Sequence, residues 1–227
     1  MNQIPKIIHQ TWKTKILPFP FNELSSTWLE SHPDWEHIIW TDEMNRDLIK
    51  DCYPEFLEKY DGYPRNIQRV DAFRYFVLKK YGGVYVDMDF ECFKNIEPLL
   101  DGKECVFGLE PDAHSSMFSR DFIVCNAFMA SIPNNNFINF VCEQVMSYPK
   151  IEEVRPIDVL NSTGPFMLTD SYSAYKNKDK VTILDSIHLY PITFMEGFSV
   201  FNDKITPEIE AKLEKAYAVH YFLGNWS

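Results

Sequence analysis

The chain has 227 residues, of which 45% are hydrophobic and 24% charged, as is typical of a globular protein that buries a sizeable core. Its 22 basic and 33 acidic residues give a formal net charge of −11. That charge disfavours nucleic acid or an anionic membrane as the main partner, although it is compatible with a local basic pocket for one phosphate group.

The cysteine spacing and the lengths of the apolar segments indicate in which cellular compartment the protein is expected. Five cysteines without C-x-x-C spacing predict reduced, mostly buried thiols rather than a disulfide framework or a zinc site. Residues 1–20 contain no continuous apolar segment typical of a signal peptide, and no run approaches the roughly 18 apolar residues of a transmembrane helix. We therefore expect a cytoplasmic protein without a membrane anchor of its own.

The apolar pattern alternates between strand and helix periodicity along the chain. Strands are predicted at residues 6–12, 35–40, 84–89, 104–110, 122–131 and 181–192. Helices are predicted at residues 23–33, after an N-cap at Thr41 or Asp42, at 64–81, from an N-cap at Ser131, from Pro165 and at 206–216. This order predicts an α/β fold: one domain over residues 1–227 with a mostly parallel, Rossmann-like sheet flanked by helices.

The predicted helix at 64–81 contains a charged pair on its apolar side. Arg74 falls within the apolar stripe, whose other members are Ile67, Val70, Val77, Leu78 and Tyr81. Because a buried guanidinium is costly without a partner, we expect Asp71, one turn earlier, to pair with Arg74. A purely structural ion pair would have the same spacing. The helix leads through two glycines into a strand that ends in two aspartates, so all four charged groups are expected at one end of the sheet.

Those two aspartates, Asp87 and Asp89, are predicted to lie two apart on one strand, so their side chains point the same way. Like charges this close repel each other unless a cation or protons compensate them. Hard carboxylate oxygens favour Mg²⁺ or Mn²⁺. A solvent-facing carboxylate pair at a strand end is the alternative, since D-x-D alone is common by chance.

Four segments, spread in order from residue 4 to residue 226, resemble one known family. They are IPKIIHQTWK, RVDAFRYFVLKKYGGVYVDMD, NSTGP and VHYFLGNW, and together they are similar to the DxD-containing sugar-transferase family, of the glycosyltransferase family 32 type. The D-x-x-R…Y-x-D-x-D core is also similar to that of the clostridial glucosylating toxins. The resemblance implies a GT-A type fold and hexosyl transfer from a nucleoside diphosphate sugar.

The resemblance also assigns roles to residues. As metal ligands for Mn²⁺ or Mg²⁺ it implies Asp87, Asp89 and His220. As catalytic residues it implies Asp71, Arg74, Asp87 and Asp89. The implied donor-binding residues are Ile8, His9, Gln10, Trp12, Arg69, Asp71, Arg74, Tyr85, Asp87, Asn225 and Trp226. The implied acceptor side consists of Asn126, Asn161, Thr163, Gly164 and Pro165.

In the implied reaction, the metal and the arginine neutralise the leaving diphosphate, and the anomeric configuration of the sugar is retained. A UDP-sugar is favoured and GDP-mannose is possible as donor, while the acceptor hydroxyl belongs to a glycan, a lipid-linked glycan or a protein. Two alternatives stay open: a nucleotide-sugar hydrolase or nucleotidyltransferase, and a non-catalytic protein that binds sugar nucleotides. The G-x-G-x-x-G fingerprint and the P-loop are absent from the sequence, which disfavours dinucleotide enzymes and kinases.

Overall fold

The computed structural model describes residues 3–151, 153–202 and 204–224. Its strands are β1 (Ile7–Thr11), β2 (Glu36–Trp40), β3 (Gly83–Val86), β4 (Phe90–Cys92), β5 (Cys105–Leu109), β6 (Val124–Ser131), β7 (Thr182–Leu184) and β8 (Ala218–His220). Its α-helices are α1 (Phe21–Ser31), α2 (Asp42–Cys52), α3 (Pro54–Asp61), α4 (Asn66–Tyr81), α5 (Glu97–Leu100), α6 (Asp112–Met117), α7 (Asn136–Ser147), α8 (Pro156–Ser162), α9 (Pro165–Ala174), α10 (Phe194–Phe201) and α11 (Pro207–Lys215).

Six strands form the central sheet in the order β2-β1-β3-β6-β5-β7. Strand β6 runs antiparallel to β3 and β5, and the other neighbours are parallel, so five strands share one direction. The prediction of a mostly parallel α/β sheet is confirmed. Because the carboxyl ends of these five strands meet at one edge, the loops that follow them can build a common site.

Alternating residues of the strands face two separate apolar layers. On one side, Tyr85, Phe107 and Met129 pack beneath helices α2, α3, α4, α7 and α9. On the other side, Val84 and Val86 pack with residues of α1, α5 and the small sheet. The sheet is therefore covered on both faces, as its continuous apolar strands predict.

Helix α4 is buried along most of its length. Every residue from Asp71 to Leu78 is buried, whereas Tyr81 is 41% exposed. The predicted single apolar stripe was therefore too narrow, since the helix packs against both α7 and α2 above the sheet. Gly82 ends the helix with a φ of 65°, and Gly83 follows with a φ of 92°, so the predicted helix end is confirmed.

Two local predictions are wrong. Ser131 is the last residue of β6, and Asn135 caps α7 by accepting hydrogen bonds from the backbone N–H groups of Phe137 and Ile138. The D-x-D segment does not lie on the strand, because β3 ends at Val86. A second, two-stranded antiparallel sheet pairs β4 with β8, directly after that segment.

The N-terminal cap of α2 and the start of α9 agree with the sequence. The side chain of Thr41 accepts a hydrogen bond from the N–H of Met44, and Pro165 is the first residue of α9. Within the described ranges, the helices are all too short or too polar to span a bilayer.

Candidate active site

A cavity of about 610 Å³ opens at the edge where the five codirectional strands end. This volume falls within the range typical of ligand sites. Its floor contains charged side chains from α4, from the segment after β3 and from β8, namely Asp71, Arg74, Asp87, Asp89 and His220. Aromatic and apolar side chains form much of the remaining wall.

Arg74 lies at the centre of the buried charges, with only 4% of its surface exposed. Its Nη2 lies 3.1 Å from Oδ1 of Asp71, and its Nη1 lies 3.2 Å from Oδ2 of Asp87. Nη1 also donates to the carbonyl of Asn126 at 2.9 Å, and the guanidinium stands 5.1 Å from the centre of the Tyr85 ring. A planar guanidinium can make several such contacts at once, so Arg74 fixes two carboxylates from different elements.

Asp71 is held from several sides. Asn126 donates from Nδ2 to Oδ1 at 3.1 Å, and Thr163 donates from Oγ1 to Oδ2 at 3.1 Å. Burial raises the pKa of Asp71, against the opposing effect of Arg74 and these two hydrogen bonds. The carboxylate is thus preorganised at the cavity wall and is not free to rotate.

Asp87 follows the last residue of β3. Its N–H still bonds the carbonyl of Ala127 at 2.8 Å, and its own carbonyl accepts a hydrogen bond from the N–H of Phe90, which forms a turn. The hydroxyl of Tyr85 donates to Oδ1 of Asp87 at 2.9 Å. Burial raises the pKa of Asp87 to about 6, although nearby Arg74 favours the ionised form.

Asp89 turns toward the C-terminal strand. Its Oδ1 lies 2.9 Å from Nε2 of His220, and its Oδ2 accepts a hydrogen bond from the N–H of Leu223 at 2.8 Å. Burial opposes ionisation of Asp89, but His220 and this N–H outweigh it and lower the pKa of Asp89. Burial likewise opposes the charged form of His220, and the Asp89 carboxylate outweighs it and raises the pKa of His220.

These residues fit a divalent cation. One ligand atom from each of Asp87, Asp89 and His220 can be chosen so that all three lie within 4.8 Å of one another. Three carboxylates share this region, the buried Asp71 and the partly buried Asp87 and Asp89, and Arg74 is paired with Asp71 and Asp87. Two hard oxygen donors and an imidazole suit Mn²⁺ or Mg²⁺, and a cation would offset the surplus negative charge.

Of the residues predicted to bind the donor, Trp12 lines the cavity, next to the ring of Phe21 at 4.7 Å between centroids. Two others, both on β1, are buried away from the cavity. Ile8 lies in the apolar core, and His9 joins the carbonyl of Gly82 to the indole of Trp40. Burial lowers the pKa of His9 to about 4, so it stays neutral. The structure therefore does not bring these side chains to the cavity.

Gln10 and Tyr85 are not among the described residues that line the cavity, but each forms a hydrogen bond with Asp87, which does line it. Gln10 bonds Ser25 and His37, and its Nε2 donates to the carbonyl of Asp87 at 3.4 Å. Tyr85 is fully buried between Thr11 and Asp87. Both residues therefore hold the turn that carries the aspartates instead of lining the cavity.

Arg69 points elsewhere. It donates from Nη1 to the carbonyl of Tyr63 at 2.6 Å and from Nε to Asn66, at the start of α4. It is not among the described residues that line the cavity. Asn225 and Trp226 lie outside the described residues.

On the predicted acceptor side, Asn126 and Pro165 line the cavity. Thr163 supports Asp71, as described above, and a side chain at Gly164 would collide with the backbone of Leu160 at 2.9 Å, so this glycine permits close packing of α8 and α9. Asn161 is partly buried and is not among the cavity-lining residues that the structure describes.

Sequence reasoning missed a second polar pair on the wall. Glu110, directly after β5, and His114 on α6 both line the cavity, with Nδ1 of His114 2.9 Å from Oε2 of Glu110. Nε2 of His114 accepts a hydrogen bond from the N–H of Phe194 at 3.1 Å, which places the proton on Nδ1. The i,i+4 spacing and the strand-end position of Glu110 were the available signals.

The fold and the position of the site define a class. The chain has the GT-A fold of glycosyltransferases, and a solved structure titled "PaToxG Glycosyltransferase" matches it with a TM-score of 0.56. That match covers 96% of this chain and 90% of the other at 18% sequence identity, and it shows the fold alone.

The family follows from sequence. Residues 18–106 match the family model described as "Glycosyltransferase sugar-binding region containing DXD motif". Two curated relatives are Inositol phosphoceramide mannosyltransferase 2 of Schizosaccharomyces pombe, 37% identical over 77% of this chain, and Mannosyl phosphorylinositol ceramide synthase SUR1 of Saccharomyces cerevisiae, 34% identical over 96% of it. The chain belongs to this family of DXD-containing glycosyltransferases. It spans about half the length of these relatives, 48% and 55%.

Proposed function

We propose that the chain is a divalent-metal-dependent glycosyltransferase that moves a hexose from a nucleoside diphosphate sugar to an acceptor hydroxyl. The observation that carries this proposal is the convergence of Asp71, Arg74, Asp87, Asp89 and His220 at the floor of one cavity. Clustered carboxylates, a guanidinium and an imidazole beside an open space that fits a ligand are typical of a functional site.

Asp87, Asp89 and His220 would hold the cation, which when bound would act as a Lewis acid on the leaving diphosphate. Arg74 keeps Asp71 and Asp87 in fixed orientations, and its buried positive charge favours an anionic donor at the floor. Asp71, locked by Asn126 and Thr163, is placed to accept hydrogen bonds from the hydroxyls of the donor sugar.

Trp12 provides an aromatic face at the mouth of the cavity, which suits stacking on the nucleobase. The donor preference for a UDP-sugar stays a prediction, and the names of the curated relatives, which are mannosyltransferases, support GDP-mannose as the other donor to test. Retention of the anomeric configuration and a cytoplasmic location likewise stay predictions. The acceptor hydroxyl belongs to a glycan, a lipid-linked glycan or a protein.

The direct experiment screens a panel of nucleoside diphosphate sugars with Mn²⁺ for release of the nucleoside diphosphate and for a rise in melting temperature. We expect turnover of at least one hexose donor and a Mn²⁺-dependent stabilisation. At a metal concentration 100 times the Kd, stabilisation by about 3 kcal/mol corresponds to a shift of roughly 5 to 10 °C.

The matched variants are Asp89→Asn and Asp34→Asn, because Asp34 is exposed and is not among the described residues that line the cavity. The first should abolish turnover and the metal-induced shift while it keeps a cooperative melting transition, and the second should behave as wild type. Production or consumption of a nucleoside triphosphate would instead indicate a nucleotidyltransferase, and release of free sugar alone a hydrolase. Donor binding without turnover on any acceptor would indicate a non-catalytic binding protein.

A further inference from the structure

The cavity follows one face of helix α4 for about two turns. The α4 residues that line it are Asn66, Ile67, Val70, Asp71 and Arg74. With a rise of about 1.5 Å per residue, Asn66 lies about 12 Å from Arg74 along the helix axis. The helix thus connects the charged floor to a second polar position at its first residue, at some distance from the proposed metal ligands.

At that position Asn66 meets Asp42, and we call these two residues the polar pair. Asp42 is the first residue of α2, and both members of the pair are partly buried and line the cavity. Nδ2 of Asn66 donates a hydrogen bond to Oδ2 of Asp42 at 3.1 Å. In the part of the chain that the structure describes, Asn66 is the one hydrogen-bond partner of this carboxylate, so Asp42 has capacity to accept from a ligand.

The amide of Asn66 is itself held in one orientation. Its Oδ1 accepts a hydrogen bond from Nε of Arg69 at 3.1 Å, and Nη1 of Arg69 donates to the carbonyl of Tyr63 at 2.6 Å. Because the amide oxygen faces a guanidinium, the amide nitrogen faces Asp42. Arg69 therefore orients the polar pair from outside the cavity, and the Asp42 carboxylate is presented to the cavity as a fixed acceptor.

Trp12 lies on the same side of the cavity as the polar pair. Its N–H donates to the carbonyl of Trp40 at 2.9 Å, which extends the pairing of β1 with β2 by one residue. Trp40 is the last residue of β2, and Asp42 follows it by two positions. Trp12 and Asp42 thus follow the ends of neighbouring parallel strands, and a flat ring stacked on the indole can turn its polar edge toward Asp42.

The charges decide which part of a nucleotide fits at the polar pair. A diphosphate offers acceptors only and is repelled by a carboxylate, so it fits the floor beside Arg74 and not Asp42. A group that approaches Asp42 has to donate a hydrogen bond. On the Watson–Crick edge, uracil and guanine each carry a ring N–H, whereas the corresponding ring nitrogens of cytosine and adenine carry a lone pair. A lone pair directed at the carboxylate leaves both acceptors without a partner.

We propose that Asp42, oriented by Asn66, accepts the ring N–H of the donor nucleobase and so selects uracil or guanine nucleotides against cytosine and adenine nucleotides. This assignment rests on the proposed function, because it takes the diphosphate to lie at the charged floor. Asp42 is then a specificity-determining residue, and Asn66 is a positioning residue that acts through it. A site built to accept a hydrogen bond discriminates strongly against a ligand that cannot donate one.

The test is titration calorimetry of UDP, GDP, CDP and ADP with Mn²⁺ present. In wild type, the Kd of UDP or of GDP should be at least roughly tenfold below those of CDP and ADP, because the hydrogen bond is made to a charged group. The UDP and GDP titrations show which of the two bases is preferred. Asp42→Asn should raise the Kd of the preferred nucleotide about tenfold and change those of CDP and ADP by less than about twofold, so the discrimination is lost.

Glu43→Gln is the matched control. Glu43 lies beside Asp42 in the first turn of α2, but it is exposed and is not among the described residues that line the cavity. This variant should bind all four nucleotides as wild type does. Asn66→Ala, which keeps the Asp42 carboxylate but removes its support, should reduce the same discrimination by a smaller factor. The melting temperatures of all variants check the fold.

Equal Kd values for the four nucleotides in wild type, or a preference for CDP or ADP, would overturn the assignment. So would unchanged discrimination in both Asp42→Asn and Asn66→Ala. An equal rise in all four Kd values in Asp42→Asn would also overturn it, since Asp42 would then contact the ribose, which all four share. Binding without discrimination leaves the proposed function in place. If none of the four nucleotides binds, the proposed function fails, and the assignment of Asp42 fails with it.

Discussion

Nε2 of His220 lies 2.9 Å from Oδ1 of Asp89, although 131 positions separate the two residues along the chain. The pairing of β4 with β8 creates this contact, because Phe90 lies opposite His220 in the register of the small sheet. The ring of His220 stacks on that of Phe90 at 4.8 Å between centroids. The small sheet therefore carries His220, and β3 of the large sheet leads directly into Asp87, so the two sheets together position the proposed metal ligands.

Arg74→Lys is expected to be damaging although the charge is kept. Lysine cannot reach Asp71, Asp87 and the carbonyl of Asn126 in one plane, so at least one buried polar group loses its partner. We expect a loss of about 2 kcal/mol or more in the free energy of unfolding by urea and at least about a tenfold fall in kcat/KM for the donor.

Arg46→Lys is the control for that substitution. Arg46 also makes a two-pronged contact, with Asp61 at 2.8 and 2.7 Å, but on the surface. The urea midpoint of this variant should equal that of wild type. If Arg74→Lys changed the urea midpoint as little as Arg46→Lys does, the contacts of Arg74 would contribute no more to stability than an ordinary surface ion pair.

Tyr85→Phe removes the hydroxyl that fixes Asp87. The affinity for Mn²⁺, measured by titration calorimetry, should fall by about tenfold or more, because a ligand that loses its supporting hydrogen bond is less well oriented. Tyr53→Phe is the comparison, since Tyr53 is also buried and donates to the carbonyl of Phe76 at 3.2 Å, away from the cavity. Both variants should lose about 1 kcal/mol of stability, and metal affinity should change in the first alone.

Trp12→Ala tests the base-stacking role. Loss of the indole should raise the Kd for the free nucleoside diphosphate roughly tenfold, with a smaller effect on kcat. Trp12→Phe should recover part of the affinity, because a smaller aromatic face remains. Titration of UDP and GDP into the three proteins would measure this, and unchanged affinity in Trp12→Ala would leave Trp12 without a role in donor binding.

Gly83→Ala should destabilise the fold strongly. The residue has a φ of 92°, and a Cβ would lie 2.6 Å from the carbonyl oxygen of Ile7 on the neighbouring strand. We expect a loss of at least about 3 kcal/mol, because backbone strain and a backbone collision add. Gly102→Ala carries only the strain, since its φ is 69° and no atom lies within 4 Å, and should cost about 1 to 2 kcal/mol. Equal melting temperatures would contradict this account.

Much of the fold follows from local pattern. The glycine pair after α4, the proline that starts α9 and the alternation of strands with helices are features of short segments, and the structure bears each of them out. Asp71 and Arg74 were also recognisable, because a buried i,i+3 pair demands compensation. The D-x-D segment was predicted to lie on β3, but it follows that strand. The sequence alone does not show that β3 ends at Val86.

The remaining differences arise from contacts between distant segments. His9 and Gln10 are polar residues on a strand, and local pattern cannot distinguish a side chain that faces a ligand from one that bonds Gly82 or Asp87 inside the protein. The i,i+4 spacing of Glu110 and His114 is visible in the sequence, whereas the hydrogen bond from the distant Phe194 to His114 is visible only in the structure.

The pairing of β4 with β8 also sets an order of assembly. During synthesis the six strands of the central sheet are all available by Leu184, whereas His220 emerges later. The sheet can therefore form before the third proposed ligand has been synthesised, and the full affinity for a divalent ion would arise only when β8 pairs with β4. Metal binding in this protein would thus report docking of β8, and not merely formation of the central sheet.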